Sequence, residues 1–560
     1  MTLLPLLSCF LAAALGVCSG QIQWSPTYTV QGVLHLPYAE IKEPFMAYFD
    51  ATKNLSRVDY YGDLVQTLQV AGNKKLCDEE DLCNGVVYKV AFMPNKATWE
   101  PERTCFQVNG TANVTVTVQS VLPDLTNFTY SGREPCLTDA EWYATRESET
   151  CDRYDLEQTF GAKVNRYSLW VSLNEAGDPV PRRYVMHGYN TLLGSHYDKY
   201  EVLYSNFQNG PFSPDVFNIS SITTAKCRGF PGPGAESLAL HNPMAEFING
   251  HDAHVYQAFD EFKEVHGKQY ADPTEHEKRI SIFRQNLRFI HSTNRANLGY
   301  SVAVNHLADK TQEELRYLRG KLKSSPEYPS RARPFPSEKY SQELPDTVNW
   351  WLQGAVTPVK DQAVCGSCWS FGTVGHLEGA LFVKTGRLVR LSEQQLMDCS
   401  WNDGNNGCDG GEDFRAYHYI QAHGLASDEA YGSYLGQDGI CHDTKVNKTI
   451  ATIKGYVNVT TEEDLRKALA HEGPISVSID ASHKSFSFYS NGVYYDPKCR
   501  NDTDGLDHSV LAVGYGVQNG QQYWLVKNSW STYWGNDGYV LISQKDNNCG
   551  VATQATYVVL

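Results

Sequence analysis

The sequence predicts an α+β chain of several folded units: an antiparallel β-rich N-terminal domain, a helical middle segment, and a large C-terminal domain mixing helix and strand. Three observations point there. The chain has 560 residues, which at roughly 100 to 200 residues per domain excludes a single small module. The apolar period switches from short Val-, Tyr- and Thr-rich runs before about residue 227 to a helical stripe after Asp272. The cysteines form two groups, six from Cys77 to Cys227 and seven from Cys365 to Cys549. With 41% hydrophobic and 20% charged residues the composition suits packed domains. A net charge of −16, with no dense run of Lys and Arg, argues against a nucleic-acid partner.

Taken in order, Leu3 to Val17 is an apolar run ending near Ser19 and Gly20, too short to span a bilayer, and residues 1–20 read as a secretory leader. No later stretch reads as a membrane span. Residues 21–228 read as strands: 86–93, 114–122 and 167–173 are rich in Val, Tyr, Phe and Thr and bounded by Gly, Asn, Asp and Pro. The six cysteines there (Cys77, Cys83, Cys105, Cys136, Cys151, Cys227) allow fifteen pairings as three disulfides, and no metal-ligand spacing accompanies them. Eight Asn-x-Ser/Thr sequons, including Asn54, Asn447 and Asn501, fit the secretory pathway, toward lysosome or secretion. The breaker cluster at 229–234 opens a linker, 229–244. Asp272-Pro273-Thr274-Glu275 reads as a cap, a first-turn proline and a capping acid starting a long helix to about Asn297. The Pro-rich stretch 323–343 reads as an exposed connector open to proteolysis, and 344–560 as the last domain.

The chemistry concentrates in that domain. Cys365-Gly-Ser-Cys368-Trp369 is a CxxC, which alone fits a redox pair, half a zinc site, or a nucleophile beside a structural cysteine. No second close Cys or His pair supports zinc. The apolar positions Phe371, Val374, Leu377 and Leu381 make a helix rather than a small βαβ unit, so Cys368 falls at a helix N-terminus, where backbone N–H groups favour a thiolate. Downstream, His508 opens an apolar strand pattern and Asn528 ends another, supplying a base and its orienting partner. Thirteen cysteines remain once Cys9 and Cys18 leave with the leader, and an odd number demands one unpaired thiol.

With 354–362 (GAVTPVKDQ), 365–371 (CGSCWSF), 391–395 (LSEQQ), 407–411 (GCDGG), 473–477 (GPISV), Asp507-His508 and 527–530 (KNSW) in this order, the last domain resembles the papain family of cysteine peptidases, in its cathepsin L-like branch. The resemblance implies a two-lobed catalytic domain, a helical lobe against an antiparallel β-barrel lobe, that needs no metal or cofactor. It makes Cys368 the nucleophile, paired as thiolate with an imidazolium at His508. Asn528 would orient the imidazole under Trp530, and Gln362 would complete an oxyanion hole. It pairs Cys365 with Cys408, Cys399 with Cys441 and Cys499 with Cys549, leaving Cys368 free. Gly410 and Gly411 would bond an extended peptide substrate. Glu412, Asp413, Leu506 and Gln554 fall where relatives line a usually apolar S2 pocket. A more polar pocket taking basic or small P2 residues follows, with solvent-facing Glu412 and Asp413 as the alternative. Ala363 stands where Gly is usual.

Glu275, Arg279, Phe283, Asn286, Ile290 and Asn294 lie in steps of four, four, three, four and four along one helical stripe. The spacing resembles the ERFNIN pattern of cathepsin L-like propeptides, and Asn305, Leu307 and Asp309 resemble its companion motif. Residues 245–322 would then be an inhibitory propeptide threading the groove backwards, released when acid protonates carboxylates at the docking site. The whole reads as a zymogen of an endopeptidase acting on peptides and proteins. Beside it stand an exopeptidase restricted by a retained N-terminal domain, and a catalytically silent binding protein. The layout also resembles two-chain haemocyte cysteine proteinases of insects, in which the cleaved N-terminal domain would remain as a bound second chain.

Overall fold

The structure, a computed structural model, describes residues 22–72, 83–94, 101–136, 149–230, 242–324, 331–340, 343–446 and 449–560. The expected leader, Cys77, most of the expected linker, the sequon at Asn447, and residues 325–330 and 341–342 of the connector lie outside them. The chain divides into two compact units, with the break between Ala296 and Asn297. That break falls inside the segment expected to be one propeptide, so its two halves belong to different units.

The first unit is built on an eleven-stranded antiparallel sheet: β1 (Thr27–Leu36), β2 (Ile41–Asp50), β3 (Leu55–Tyr60), β4 (Val65–Ala71), β5 (Gly85–Pro94), β6 (Pro101–Asn109), β7 (Thr129–Pro135), β8 (Thr150–Phe160), β9 (Lys163–Leu173), β10 (Pro179–Asn190) and β11 (Ser195–Asn209). Two meanders, β1 to β6 and β7 to β11, join where β1 pairs with β11. Alternation sets the faces: Tyr28, Val30, Leu34 and Leu36 of β1 are buried in turn. The expected strands at 86–93 and 167–173 lie within β5 and β9. The one expected at 114–122 is not a strand. Part of its backbone bonds to side chains, Gln119 N–H to Ser56 Oγ at 3.0 Å and Val121 N–H to Tyr28 OH at 3.1 Å, while Val116 N–H reaches Asn84 O at 2.9 Å and Val121 and Leu122 bury themselves in the sheet's core. An alternating run has the same period whether it pairs in a ladder or lies across a sheet. Disulfides join Cys105 to Cys227 and Cys136 to Cys151.

Among the described residues, three helices longer than one turn complete the unit: α1 (Pro243–Asn249), α2 (Ala253–Val265) and α3 (Pro273–Arg295). Met244, Phe247 and Ile248 of α1 share the core of the sheet. Helix α3 starts as its sequence dictates, with Asp272 accepting the Glu275 N–H at 2.9 Å and Pro273 in the first turn. Phe283 packs between Phe259 and Phe262 of α2, ring centroids 5.2 and 5.1 Å away.

In the second unit a helical half contains α4 (Cys368–Thr385), α5 (Glu393–Cys399) and α6 (Asp413–His423), sharing a core of Trp369, Leu377, Leu396, Phe414 and Tyr417. The other half is a ten-stranded sheet. Its main strands are β12 (Tyr300–Val302), β13 (Gly455–Val459), β14 (Ile475–Ile479), β15 (Tyr489–Tyr494), β16 (His508–Gln518), β17 (Gln521–Lys527), β18 (Tyr539–Ser543) and β19 (Ala555–Val559). Two-residue strands at Arg333–Pro334 and Val348–Asn349 pair with β13 and β16. β12 pairs antiparallel with β15 at the sheet's edge. Among the described residues, no helix is long and apolar enough to cross a membrane.

Candidate active site

Helix α4 carries Gly372, Gly375 and Gly379 on the side facing β16 and Pro474. A Cβ there would sit 3.1 Å from Ser476 Oγ, 2.9 Å from Leu511 and 2.6 Å from Pro474 respectively, so glycine lets the two halves approach closely along this seam. The seam brings the first residue of α4, Cys368, to the start of β16, where the Ser509 backbone hydrogen-bonds the sulfur and His508 is the residue before it. Cys368 is the free cysteine among the described residues. Cys365–Cys408, Cys399–Cys441 and Cys499–Cys549 are bonded. Two clusters have metal-ligand spacing, Cys399/Cys441/Asp443 and Asp480/His483/Cys499, but their sulfurs are in these disulfides.

The imidazole is fixed in one tautomer. Asn528 Oδ1 accepts the Ser529 N–H at 2.8 Å, which identifies that atom as oxygen, and it lies 2.8 Å from His508 Nε2. Nε2 must therefore carry the proton, leaving Nδ1, buried and without a hydrogen-bond partner, as the basic nitrogen. The Trp530 ring covers the imidazole at 4.8 Å. Gln362 is held in a similar way: Ser529 Oγ donates to its Oε1 at 2.7 Å, so Nε2 is the free donor, shared between Cys365 O at 2.7 Å and Leu318 O at 3.0 Å. Ala363 adopts φ 54°, the left-handed conformation that explains why glycine suits this position.

Residues 318–322 lie across this site. Gly320 N–H donates to Cys368 Sγ at 3.3 Å. A Cβ on Gly320 would fall 1.8 Å from Gly366 O, so only glycine passes. The segment pairs parallel to Gly411, whose N–H donates to Gly320 O at 2.8 Å and whose carbonyl accepts from Leu322 N–H at 2.9 Å. Gly410, expected to share this role, instead bonds inward, its N–H to Gly407 O and its carbonyl to Asn406 N–H, because the turn through φ 114° points its polar groups away.

Neutral forms prevail under this cover. Burial pushes the Cys368 thiol up to about 11, hydrogen bonds from the Ser509 and Gly320 backbone offsetting only part. Burial pulls His508 down to about 4, and the Arg319 guanidinium adds to that. Burial under the cover thus works against both charged members of the expected thiolate–imidazolium pair. Two carboxylates under the cover bear on the expected release by acid. Burial raises Asp507, ion-paired to Arg319 at 2.7 Å, to about 6, and raises Glu412. Where the covering segment supplies that burial, a carboxylate takes up a proton as the segment docks, and acid at that group favours docking.

The solvent-facing alternative for Glu412 and Asp413 fails, since both are buried. Glu412 Oε1 accepts from Gln554 Nε2 at 3.1 Å and lies 4.0 Å from the buried Lys321 Nζ. Asp413 points inward to Ser476 and Thr556. Leu506 is buried against Gly550. Gly320, Lys321, Arg319 and Ser529 were not singled out from sequence. The glycine between cations in Arg319-Gly320-Lys321 was the available signal for the first three.

On the remaining expected residues, Glu275 Oε1 accepts from Arg279 Nε at 2.6 Å, and Phe283, Asn286 and Ile290 are buried. Asn305 Nδ2 donates to Ser487 O at 2.9 Å and its Oδ1 accepts the Leu307 N–H at 3.0 Å.

A thiol at a helix N-terminus, an imidazole of fixed tautomer, an amide donor and a covering segment define a thiol peptidase in proenzyme form. Residues 344–559 match the papain family cysteine protease domain, and residues 259–315 the cathepsin propeptide inhibitor domain (I29). A cathepsin L-like peptidase of Aedes aegypti is 48% identical over 318 residues, covering 54% of this chain and 93% of its own. Procathepsin L of Rattus norvegicus is 42% identical over 311 residues, covering 54% and 91%. The solved digestive procathepsin L2 proteinase from Tenebrio molitor larval midgut is similar with a TM-score of 0.52 and 34% identity, over 55% of this chain and 100% of that one. The chain belongs to the papain family of cysteine proteases, as a cathepsin L-like peptidase made as a proenzyme with an inhibitory propeptide.

Proposed function

We propose that the mature enzyme is an endopeptidase of the secretory pathway in which Cys368 attacks the scissile carbonyl, His508 Nδ1 takes the thiol proton and passes it to the leaving amine, and water then hydrolyses the acyl-enzyme. Asn528 holds the imidazole with Nδ1 toward the sulfur. Gln362 Nε2–H and the Cys368 N–H would receive the oxyanion, where one prepositioned donor is worth about 3 to 4 kcal/mol. The observation that carries this reading is the fixed tautomer, which leaves the one unpartnered imidazole nitrogen available as base. The parallel thread accounts for the silence of the proenzyme: it delivers an N–H donor, Gly320, to the nucleophile. Cutting in the 323–343 connector would uncover the groove. After acid activation, a peptidyl epoxide should label the wild type, and Cys368→Ala should lose labelling and turnover, on the order of 10⁴-fold or more. Labelling of the alanine variant would refute the role.

Lys321 supports a basic P2 preference, because the chain's own lysine occupies a buried position against Glu412 and Gln554. Arg415 Nε already lies 3.5 Å from Glu412 Oε2, so a basic P2 side chain would add a second cation on the Oε1 side, a gain that an apolar P2 side chain does not make. Glu412→Gln should lower kcat/KM for Arg at P2 by about tenfold or more while sparing Leu. A P2 library in which the wild type favours Leu or Phe over Arg would end this part of the reading.

A further inference from the structure

Helix α3 has a second buried face, which the propeptide stripe does not account for. Ser281, Arg284, Gln285, Arg288, Ser292 and Arg295 follow in steps of three, one, three, four and three, and at roughly 3.6 residues per turn they fall on the side opposite Phe283 and Ile290. A polar stripe on a helix ordinarily faces water. Here Arg284, Gln285, Arg288 and Ser292 are buried.

The N-terminal sheet and its helix α1 bury them. Arg288 donates to both oxygens of Asp198 on β11, at 2.7 and 2.9 Å, and through Nε to Glu246 on α1 at 2.8 Å. Gln285 Nε2 donates to the same Asp198 at 3.1 Å. Two turns further along, Arg295 Nη2 donates to Glu43 Oε2 on β2 at 2.8 Å, and the Ser292 hydroxyl meets Tyr61 OH at 2.7 Å. Glu43 and Asp198 are almost wholly inaccessible, 0% and 2% exposed. Buried carboxylates on a sheet are tolerated when a cation with matching geometry completes them, and the planar guanidinium does so through two parallel bonds. The acids come from strands far apart in sequence, so the folded sheet presents them together.

We propose that the N-terminal sheet domain is a receptor for the arginine face of its own inhibitory helix, and holds that helix after the backbone joining them is cut. This gives the domain a partner and a task beyond the peptidase reading, independent of the roles of Cys368 and Glu412. Sheet and helix leave the connector cleavage as one body, not as a spacer and a free propeptide.

The test uses the full chain carrying Cys368→Ala, to prevent self-cleavage, and a specific protease site introduced at 250–251, between α1 and α2, so that α1 stays with the sheet whose core it shares. After cutting, the sheet fragment and the remainder are run on gel filtration at about 100 nM, which retains complexes tighter than that concentration. The two pieces should co-elute in the parent. Arg288→Glu should release the sheet fragment, weakening binding by about 100-fold or more, and adding Asp198→Lys should restore association. Should Arg288→Glu fail to fold, Arg295→Gln, which removes a charge without reversing it, is read the same way. A parent that separates on cutting overturns the proposal, as does an arginine variant that stays associated as tightly as the parent.

Discussion

The two halves of the prosegment are gripped by unlike means. Up to Ala296, side chains do the holding: Phe283 among the α2 aromatics on one face of α3, and Arg288 and Arg295 on buried carboxylates on the other. Beyond Asn297 backbone pairing joins the side-chain contacts: β12 adds to β15, Ala303 N–H reaches Phe488 O at 2.8 Å, and Gly320 and Leu322 bond to Gly411, beside the Arg319–Asp507 and Lys321–Glu412 pairs. A side-chain grip selects one sequence. A backbone grip accepts many but is sensitive to chain direction, which suits a groove that must later take varied substrates. The contrast places the contact with the nucleophile in the tail, and the hold on the N-terminal sheet in the helix.

Two substitutions would break the contrast if it is wrong, the larger effect first. Phe283→Ala opens a cavity in the aromatic cluster and should cost the first unit about 3 to 5 kcal/mol in denaturant unfolding, while the second unit's transition stays put. Equal loss in both transitions would mean the grips are not separate. Gly320→Ala should leave both transitions nearly unchanged and instead speed self-activation on the order of 30-fold, since a methyl against Gly366 O lifts the tail and forfeits two hydrogen bonds at roughly 1 kcal/mol each. Progress curves with a fluorogenic peptide measure it, and an unchanged lag would show that Gly320 is not the closure.

Much of the site was legible because the chemistry restricts residue type and order. A nucleophile needs a base and the base an orienter, so Cys368, His508 and Asn528 stand out even when far apart. The Phe283 stripe was legible because helical period is local. Its opposite face was not: Arg284, Arg288 and Arg295 look like a solvated surface until the sheet brings Asp198 and Glu43 to them. The segment 114–122 misled for a related reason, since alternation records a buried face but not whether the neighbour is a strand or, as here, the Ser56 and Tyr28 hydroxyls. Lys321 became informative only once its chain crossed to Glu412.

The smallest expected effect concerns acid, and it turns on signs. His508 moves from its ordinary 6.5 to about 4 when covered, so its contribution to docking is full above pH 6.5 and is lost as pH falls through 4. Asp507 moves from 3.8 to about 6, so its contribution is full below pH 3.8 and is lost as pH rises through 6. Glu412 is raised and acts in the same sense as Asp507. Acid therefore loosens the tail through the imidazole and tightens it through the carboxylates, and the wild-type activation rate should change only gradually between pH 6.5 and 4. Asp507→Asn removes one opposing contribution, so activation should steepen with acid over that window. Parallel pH profiles for variant and wild type would mean that the tail is released by acid acting somewhere other than His508 and Asp507.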